Sequence, residues 1–153
     1  MQTYYLLPWC RLNVLDDVYS LVAAGQLPSV EFMRFLQAYQ TETSYVVWSK
    51  ISDILATLRC LLVDLPCFPQ FNVYVCHLFS KIRHEFSWEK QLGESHLSTL
   101  HRSLVISWLG RAGDPAIRNE AKRRFDLHAS GKQTIDADLR YAWSAVPSLI
   151  HYT

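Results

Sequence analysis

Between Ser44 and Pro66 the apolar residues recur with the period of an α-helix, and no other feature of the chain restricts its fold as tightly. Val47, Ile51, Ile54, Leu55, Leu58, Leu61 and Leu62 share one face of a helix expected from about Ser44 to Val63. Pro66 and Pro69 stop it, because proline lacks an amide donor and restricts the residue before it. Asp53, Arg59 and Asp64 interrupt this most apolar region, so it falls short of the roughly 18 uncharged residues that a membrane span needs.

The same period recurs on both sides. Val14, Leu15, Val18, Leu21 and Val22 form one stripe, with Asn13 as the expected N-cap and Gly25 ending the helix in the left-handed conformation. Ser29 is the expected cap of a second helix carrying Phe32, Phe35, Leu36 and Tyr39, and Thr41 to Thr43 make a polar break. A fourth stripe runs through Phe71, Val75, Leu78, Phe79, Ile82 and Phe86, followed by a loop from Trp88 to Glu94. Leu97, Leu100, Leu104 and Trp108 mark a fifth helix ending near Gly110. Asp114-Pro115 reads as a capping carboxylate before a first-turn proline, opening a sixth helix through Ile117, Ala121 and Phe125 that stops before Gly131. A short seventh segment is expected near Asp136.

No segment alternates with a period of two between hairpin turns, so the expected class is all-α. Helix, short loop and helix follow one another with unequal lengths. That predicts an irregular α-solenoid of antiparallel helical hairpins, HEAT- or armadillo-like, as a single helical domain over residues 1–153.

Composition narrows the function. Fifteen basic against fourteen acidic residues leave a net charge of +1, and glycine and proline together number eleven, which excludes disordered and collagen-like chains. So small a charge offers no broad field to nucleic acid or an anionic membrane, and neither is expected as a partner. Six basic residues between Arg111 and Lys132 stand against Asp114, Glu120 and Asp126; Glu120 and Arg124, at i and i+4, are placed to pair on a solvated face. Cys10, Cys60, Cys67 and Cys76 contain no Cys-x-x-Cys pair, and Cys60 and Cys76 lie in apolar helical patterns. Buried free thiols in a reducing compartment are therefore expected. Met1 to Cys10 has no basic residue ahead of a short apolar part and does not read as a signal peptide, which favours the cytoplasm.

The residues offer little catalytic machinery. His84-Glu85 begins like the zinc-peptidase signature His-Glu-x-x-His, but Trp88 occupies the second histidine position. His77 and His84 are seven residues apart, and His96 and His101 five, neither of which is the i, i+3 or i, i+4 spacing of a helical zinc pair. No Gly-x-Ser-x-Gly elbow occurs, Cys76 and His77 point about 100° apart on a helix, and the scattered glycines form no phosphate loop. The acidic pairs Asp16-Asp17 and Asp136/Asp138 sit near expected helix N-termini, where they favour the helix dipole.

Several short words then resemble one family. Asn13-Val14-Leu15-Asp16-Asp17-Val18-Tyr19, leading to Ala23-Ala24-Gly25, resembles the "LLDDAF…ARAG" helix in the C-terminal domain of M1-family zinc aminopeptidases. Tyr39, Glu42, Tyr45 and Trp48 are similar to its "Y…E…Y.PW" pattern, with Val47 where proline is common. Trp88, Gly93-Glu94, His96 and Arg102 resemble its "W…GE.H…LR" segment, and Ile135 to Arg140 its "I.PDLR" element, with Ala137 in place of proline. The four words keep their order over about residues 11–140, with both ends divergent, and are most similar to the puromycin-sensitive, cytosolic branch.

This resemblance implies a helical domain that covers a catalytic domain and encloses a peptide-binding cavity, in an enzyme that removes N-terminal residues with zinc-activated water. The family's zinc and Gly-x-Met-x-Asn motifs belong to another domain and are absent from this sequence. The implied function is therefore a non-catalytic C-terminal domain or fragment: no catalytic residue, no metal ligand and no cofactor of its own, with zinc in the parent enzyme. Its implied partners are an aminopeptidase catalytic domain in cis or a related full-length enzyme in trans, and the parent's peptide substrates. The alternative is a stand-alone helical-repeat module for protein–protein interaction. Glu94, His96, Arg102, Asp138 and Arg140 are assigned to the substrate cavity or to structure; Glu94 as a cap for the helix carrying Arg102, Asp138 and Arg140 as an ion pair. Asp16, Asp17, Gly25, Tyr45, Trp48 and Trp88 are assigned to structure, the tryptophans as packing anchors. An apolar flank left without a polar cap is expected to make the isolated chain self-associate or be marginally stable.

Overall fold

A computed structural model describes residues 7–134 and Leu139, and it is all-α: among the described residues there are six α-helices and no strand. They are α1 (Pro8–Ala23), α2 (Ser29–Leu36), α3 (Tyr45–Leu62), α4 (Phe68–Leu78), α5 (His96–Ala112) and α6 (Pro115–Ala129). Short 3-10 turns extend α2 through Thr41 and follow α4 at Ile82–Glu85.

Local chemistry explains most of the boundaries. Gly25, at φ +70°, closes a Schellman turn in which its own N–H reaches Val22 O and that of Gln26 reaches Leu21 O, both at 2.9 Å. Asp114 caps α6 by accepting from Ile117 N at 3.0 Å, and Pro115 follows it. Pro69 lies in the first turn of α4, where its missing donor costs nothing.

Three boundaries differ from expectation. α1 begins at Pro8, one and a half turns before Asn13, because a proline at the first helical position starts a helix without a side-chain cap. Asp16 and Asp17 therefore lie in the middle of α1, away from its dipole. The residue at the cap of α2 is Pro28, and Ser29 is the first helical residue. α5 runs through Gly110 to Ala112, and Gly113, at φ +89°, ends it. The segment expected near Asp136 lies outside the described residues.

Successive helices pack as α1 on α2, α3 on α4 and α5 on α6, while α1, α3 and α5 also lie side by side. Along that row the contacts advance in step. Arg11 meets Glu42 and Asp16 meets Lys50, then Tyr45 meets the His101 ring at 5.9 Å near the start of α5. The three helices thus run parallel. Tyr74 donates to Met33 O at 2.7 Å and Gln40 to His77 O at 3.2 Å, so α4 follows α2 in the same sense.

The main core fills the space between the two rows. Trp48, fully buried, packs on Phe79 at 4.6 Å between ring centroids, and Phe79 stacks on Trp108 at 6.4 Å. Leu15, Phe32, Leu36, Ile51, Leu55, Val75 and Leu78 complete it. A smaller cluster joins Ile106, Ala121 and Leu139.

Two faces were partly misassigned from sequence. On α5, Trp108 is buried and Leu104 packs against the core as expected, but Leu97 and Leu100 are exposed, and Thr99, Arg102, Val105, Ile106 and Leu109 are buried with Trp108. Leu61 is exposed at the end of α3. The cysteines are free, but Cys10, Cys60 and Cys67 are exposed and Cys76 is half-buried.

Candidate functional site

The sequence places Glu94 in the loop before α5 and Arg102 on its second turn, eight residues later. The fold closes that interval. Glu94 Oε2 accepts from Arg102 Nη2 and from the backbone N–H of Gln91 at 2.9 Å. Both side chains are more than nine-tenths buried. The hydrogen bond from Arg102, and after it the Gln91 N–H, holds the Glu94 carboxyl below the usual carboxylate range. Glu94 does not cap α5. Ser95 does, its Oγ accepting from Ser98 N at 3.1 Å, which frees the carboxylate to reach the guanidinium.

The pair is half open. Only one strand of the guanidinium fork is used, and Arg102 Nε and Glu94 Oε1 are buried without a hydrogen-bond partner. Both residues line a cavity of about 400 Å3, together with His84, Glu85, Phe86, Ser87, Gln91 and Ser98. His96 is exposed in the first turn of α5 and does not line it. Asp138 and Arg140 lie outside the described residues.

Beside the pair, on the same helix, His101 is enclosed by the rings of Phe86 at 4.8 Å, Tyr45 at 5.9 Å and Trp48 at 6.4 Å. Its Nε2 has no partner, and burial lowers its pKa to about 4, against the opposing pull of Glu42. His101 is therefore neutral near pH 7.

A second buried carboxylate organises the entry to α3. Glu42 accepts from Arg11 Nε at 2.5 Å and Nη2 at 2.9 Å, and from the backbone N–H groups of Thr43 at 2.9 Å and Ser44 at 2.7 Å. Its own carbonyl takes the Trp48 indole N–H at 2.8 Å. Tyr39 donates to Arg11 O at 2.9 Å, so Tyr39, Glu42 and Trp48 of the "Y…E…Y.PW" word meet at one joint, while Tyr45 packs on His101. Asp16 pairs with Lys50, Asp17 is exposed, and Trp88 lies under the Arg124 guanidinium at 5.1 Å from the ring centroid. Glu120 pairs with Arg124 at 2.7 Å, as the i, i+4 spacing predicts, and with Arg123 at 2.7 Å.

A groove of about 500 Å3 separates α3 from α5; Tyr45, Ser52, Asp53, Ser103, Ser107 and Arg111 are among its walls. No three metal-binding side chains converge among the described residues. No described helix is long and apolar enough to cross a membrane.

Sequence reasoning missed His101, Ser52 and the Arg11–Glu42 joint. A signal for the first existed. Thr99, Arg102, Ile106 and Leu109 recur at helical spacing, but a stripe that begins with polar residues does not register as apolar period.

Known proteins resemble this chain over most of its length. The family model for the ERAP1-like C-terminal domain matches residues 7–146. Aminopeptidase M1-A of Oryza sativa subsp. japonica is 29% identical over 136 residues, covering 86% of this chain and 16% of that protein. Aminopeptidase M1 of Arabidopsis thaliana is 26% identical over 138 residues, with the same two coverages of 86% and 16%. Aminopeptidase N of Lactococcus lactis subsp. lactis is 27% identical over 131 residues, covering 85% and 16%. The chain thus spans about one-sixth of the length of these relatives. With the match running through both buried carboxylate centres and all six helices, the chain belongs to the ERAP1-like C-terminal domain family, the C-terminal domain of M1 aminopeptidases.

Proposed function

We propose that this chain acts as the non-catalytic C-terminal domain of an M1 zinc aminopeptidase, closing one side of the cavity in which peptides are held while another domain removes their N-terminal residues. The observation that carries this reading is the family match over residues 7–146, which spans all of the described helical unit. The parallel rows α1–α3–α5 and α2–α4 support an α-solenoid of stacked hairpins. Such a stack presents one row to a partner and the other to solvent.

The zinc of such an enzyme is assigned to its catalytic domain, since no three metal-binding side chains stand together among the residues described. That domain is the proposed partner, joined in cis or met in trans, with the cytoplasm as the proposed compartment. Leu7 and Trp9, each 65% exposed at the start of α1, offer apolar surface for such a contact.

An antibody raised against Trp88 to His101 tests the reading on native lysate. A band far above 17.8 kDa, with none at that mass, is the expected result. A band at 17.8 kDa alone overturns the in-cis form and leaves a separate helical interaction module. Co-purification of that species with a full-length aminopeptidase then decides the in-trans form.

A further inference from the structure

We propose that residues 84–93 form a strap over the start of α5 that acid releases, with His101 beneath it as the sensor. The strap is pinned at both ends and loose between them. Before it, Arg83 Nη1 donates to Asp114 Oδ2 at 2.7 Å; after it, Glu94 accepts from Arg102. The side chains of Asp114, Glu94 and Arg102 are each more than nine-tenths buried. Eight of the ten strap residues are exposed, and the two that are not are Phe86 and Trp88. Its hydrogen bonds close short loops: Ser87 Oγ donates to Glu89 O at 2.8 Å, and Gln91 N to Glu94 Oε2 at 2.9 Å. Two rings therefore hold it to the body. Trp88 packs with Ile106 and Ala121 and lies under the Arg124 guanidinium, and Phe86 sits on His101 at 4.8 Å between ring centroids.

The seat under Phe86 is the one that changes with pH. A neutral imidazole suits a cage of Tyr45, Trp48 and Phe86. The protonated ring brings a charge and two N–H donors, and Nε2 is buried without a partner. The charged groups around it are engaged elsewhere. Glu42, ahead of α3, already accepts from Arg11, Thr43 and Ser44. Arg102, the next residue on α5, faces Glu94, and Lys50, further along α3, faces Asp16. On the strap itself, His84 and Glu85 are exposed. Which wall yields depends on how each is held. Trp48 is fully buried in α3 with its indole N–H on Glu42 O, Tyr45 is on the same helix, and only Phe86 of the three lies outside a helix. His101 titrates near 6.5 in water and near 4 when covered, so the open form binds the proton more tightly. Opening is favoured as pH falls from 6.5 toward 4, by up to about tenfold per pH unit. His84, Glu85, Phe86, Ser87 and Gln91 of the strap also wall the cavity of about 400 Å3, so its release opens that cavity.

NMR of the 153-residue chain, titrated from about pH 7 down to about pH 4.5, tests the strap. Loss of the Phe86–His101 ring contact is expected, with a fall in backbone order parameters confined to residues 84–93 while those of α3 stay unchanged. His101→Phe keeps a ring against Phe86 and removes the titration, and is expected to hold the strap closed in acid. Phe86→Ala is expected to loosen the strap already at neutral pH and to raise the His101 titration midpoint toward 6.5, a change that a merely structural role for Phe86 would not produce. The proposal is overturned if the wild-type strap stays ordered in acid, or if the His101 midpoint is unmoved in Phe86→Ala. It is overturned equally if His101→Phe loosens as the wild type does, which would assign the acid response to the Glu89–Arg124 pair.

Discussion

The core around Trp48 and the buried start of α5 lie against each other, yet they are held by opposite means. Phe79, Leu55 and Val75 are fully buried and need only shape, and the fully buried Trp48 adds one satisfied indole hydrogen bond to Glu42 O. Glu94, His101 and Arg102 are nearly as buried, and each keeps a polar atom without a partner. An apolar core gains from every atom it excludes from water, whereas a polar one is only as good as its least satisfied group. The first region is therefore built for stability, and the second tolerates a cost that a scaffold alone does not require.

The largest test of this contrast removes the anchor. Trp48→Ala is expected to cost about 3–5 kcal/mol in denaturant unfolding, because it opens a cavity and deletes the indole bond to Glu42 O. A loss below about 1 kcal/mol would mean that the aromatic cluster is not the centre of the fold.

Breaking the ion pair comes next. Arg102→Met leaves the Glu94 carboxylate buried against an apolar side chain and is expected to cost about 3 kcal/mol. Adding Glu94→Leu is expected to recover most of that loss, since two apolar groups satisfy each other. If the double variant is as unstable as the single one, the pair supplies stability and the contrast between the regions fails.

Acid acts on the same region through His101. Its folded pKa, about 4, lies below the usual 6.5, so between these values the unfolded chain binds more protons than the folded one. Stability from neutral His101 is fully present above pH 6.5 and is lost as pH falls toward 4, by about 3 kcal/mol. His101→Phe is expected to flatten the stability–pH profile in that window; an unchanged slope would assign it to the carboxylates.

The smallest effect sharpens the comparison. Leu97→Ser, at an exposed site in the apolar pattern, is expected to change stability by no more than about 0.5 kcal/mol, whereas Val105→Ala on the buried face costs about 1–2 kcal/mol. Equal losses at the two sites would restore the sequence-derived face of α5.

What was legible in the sequence followed the chemistry of each signal. Of the seven buried positions from Val47 to Leu58, the period found the five aliphatic ones, resemblance added Trp48, and the polar Ser52 escaped both. α5 defeated the same method because its buried face mixes Thr99, His101 and Arg102 with aliphatics while Leu97 and Leu100 face outward. Asp16 and Asp17 were misplaced because Pro8 started α1 early, and a capping argument is only as good as the position of the first turn. Glu94 and Arg102 were singled out by resemblance, but their meeting was not, since eight residues along the chain set no distance between a loop and a helix.

The sequence by itself determined the all-α class, most of the helices and two of their stops, because period, proline, glycine and capping side chains act within a few residues. The tertiary structure alone decided which polar groups were buried, and with which partners. Arg11 finds Glu42 across 31 residues, and Arg83 reaches Asp114 across another 31. Burying a charge is tolerable only when its partner arrives with it, and that arrival depends on how whole helices pack.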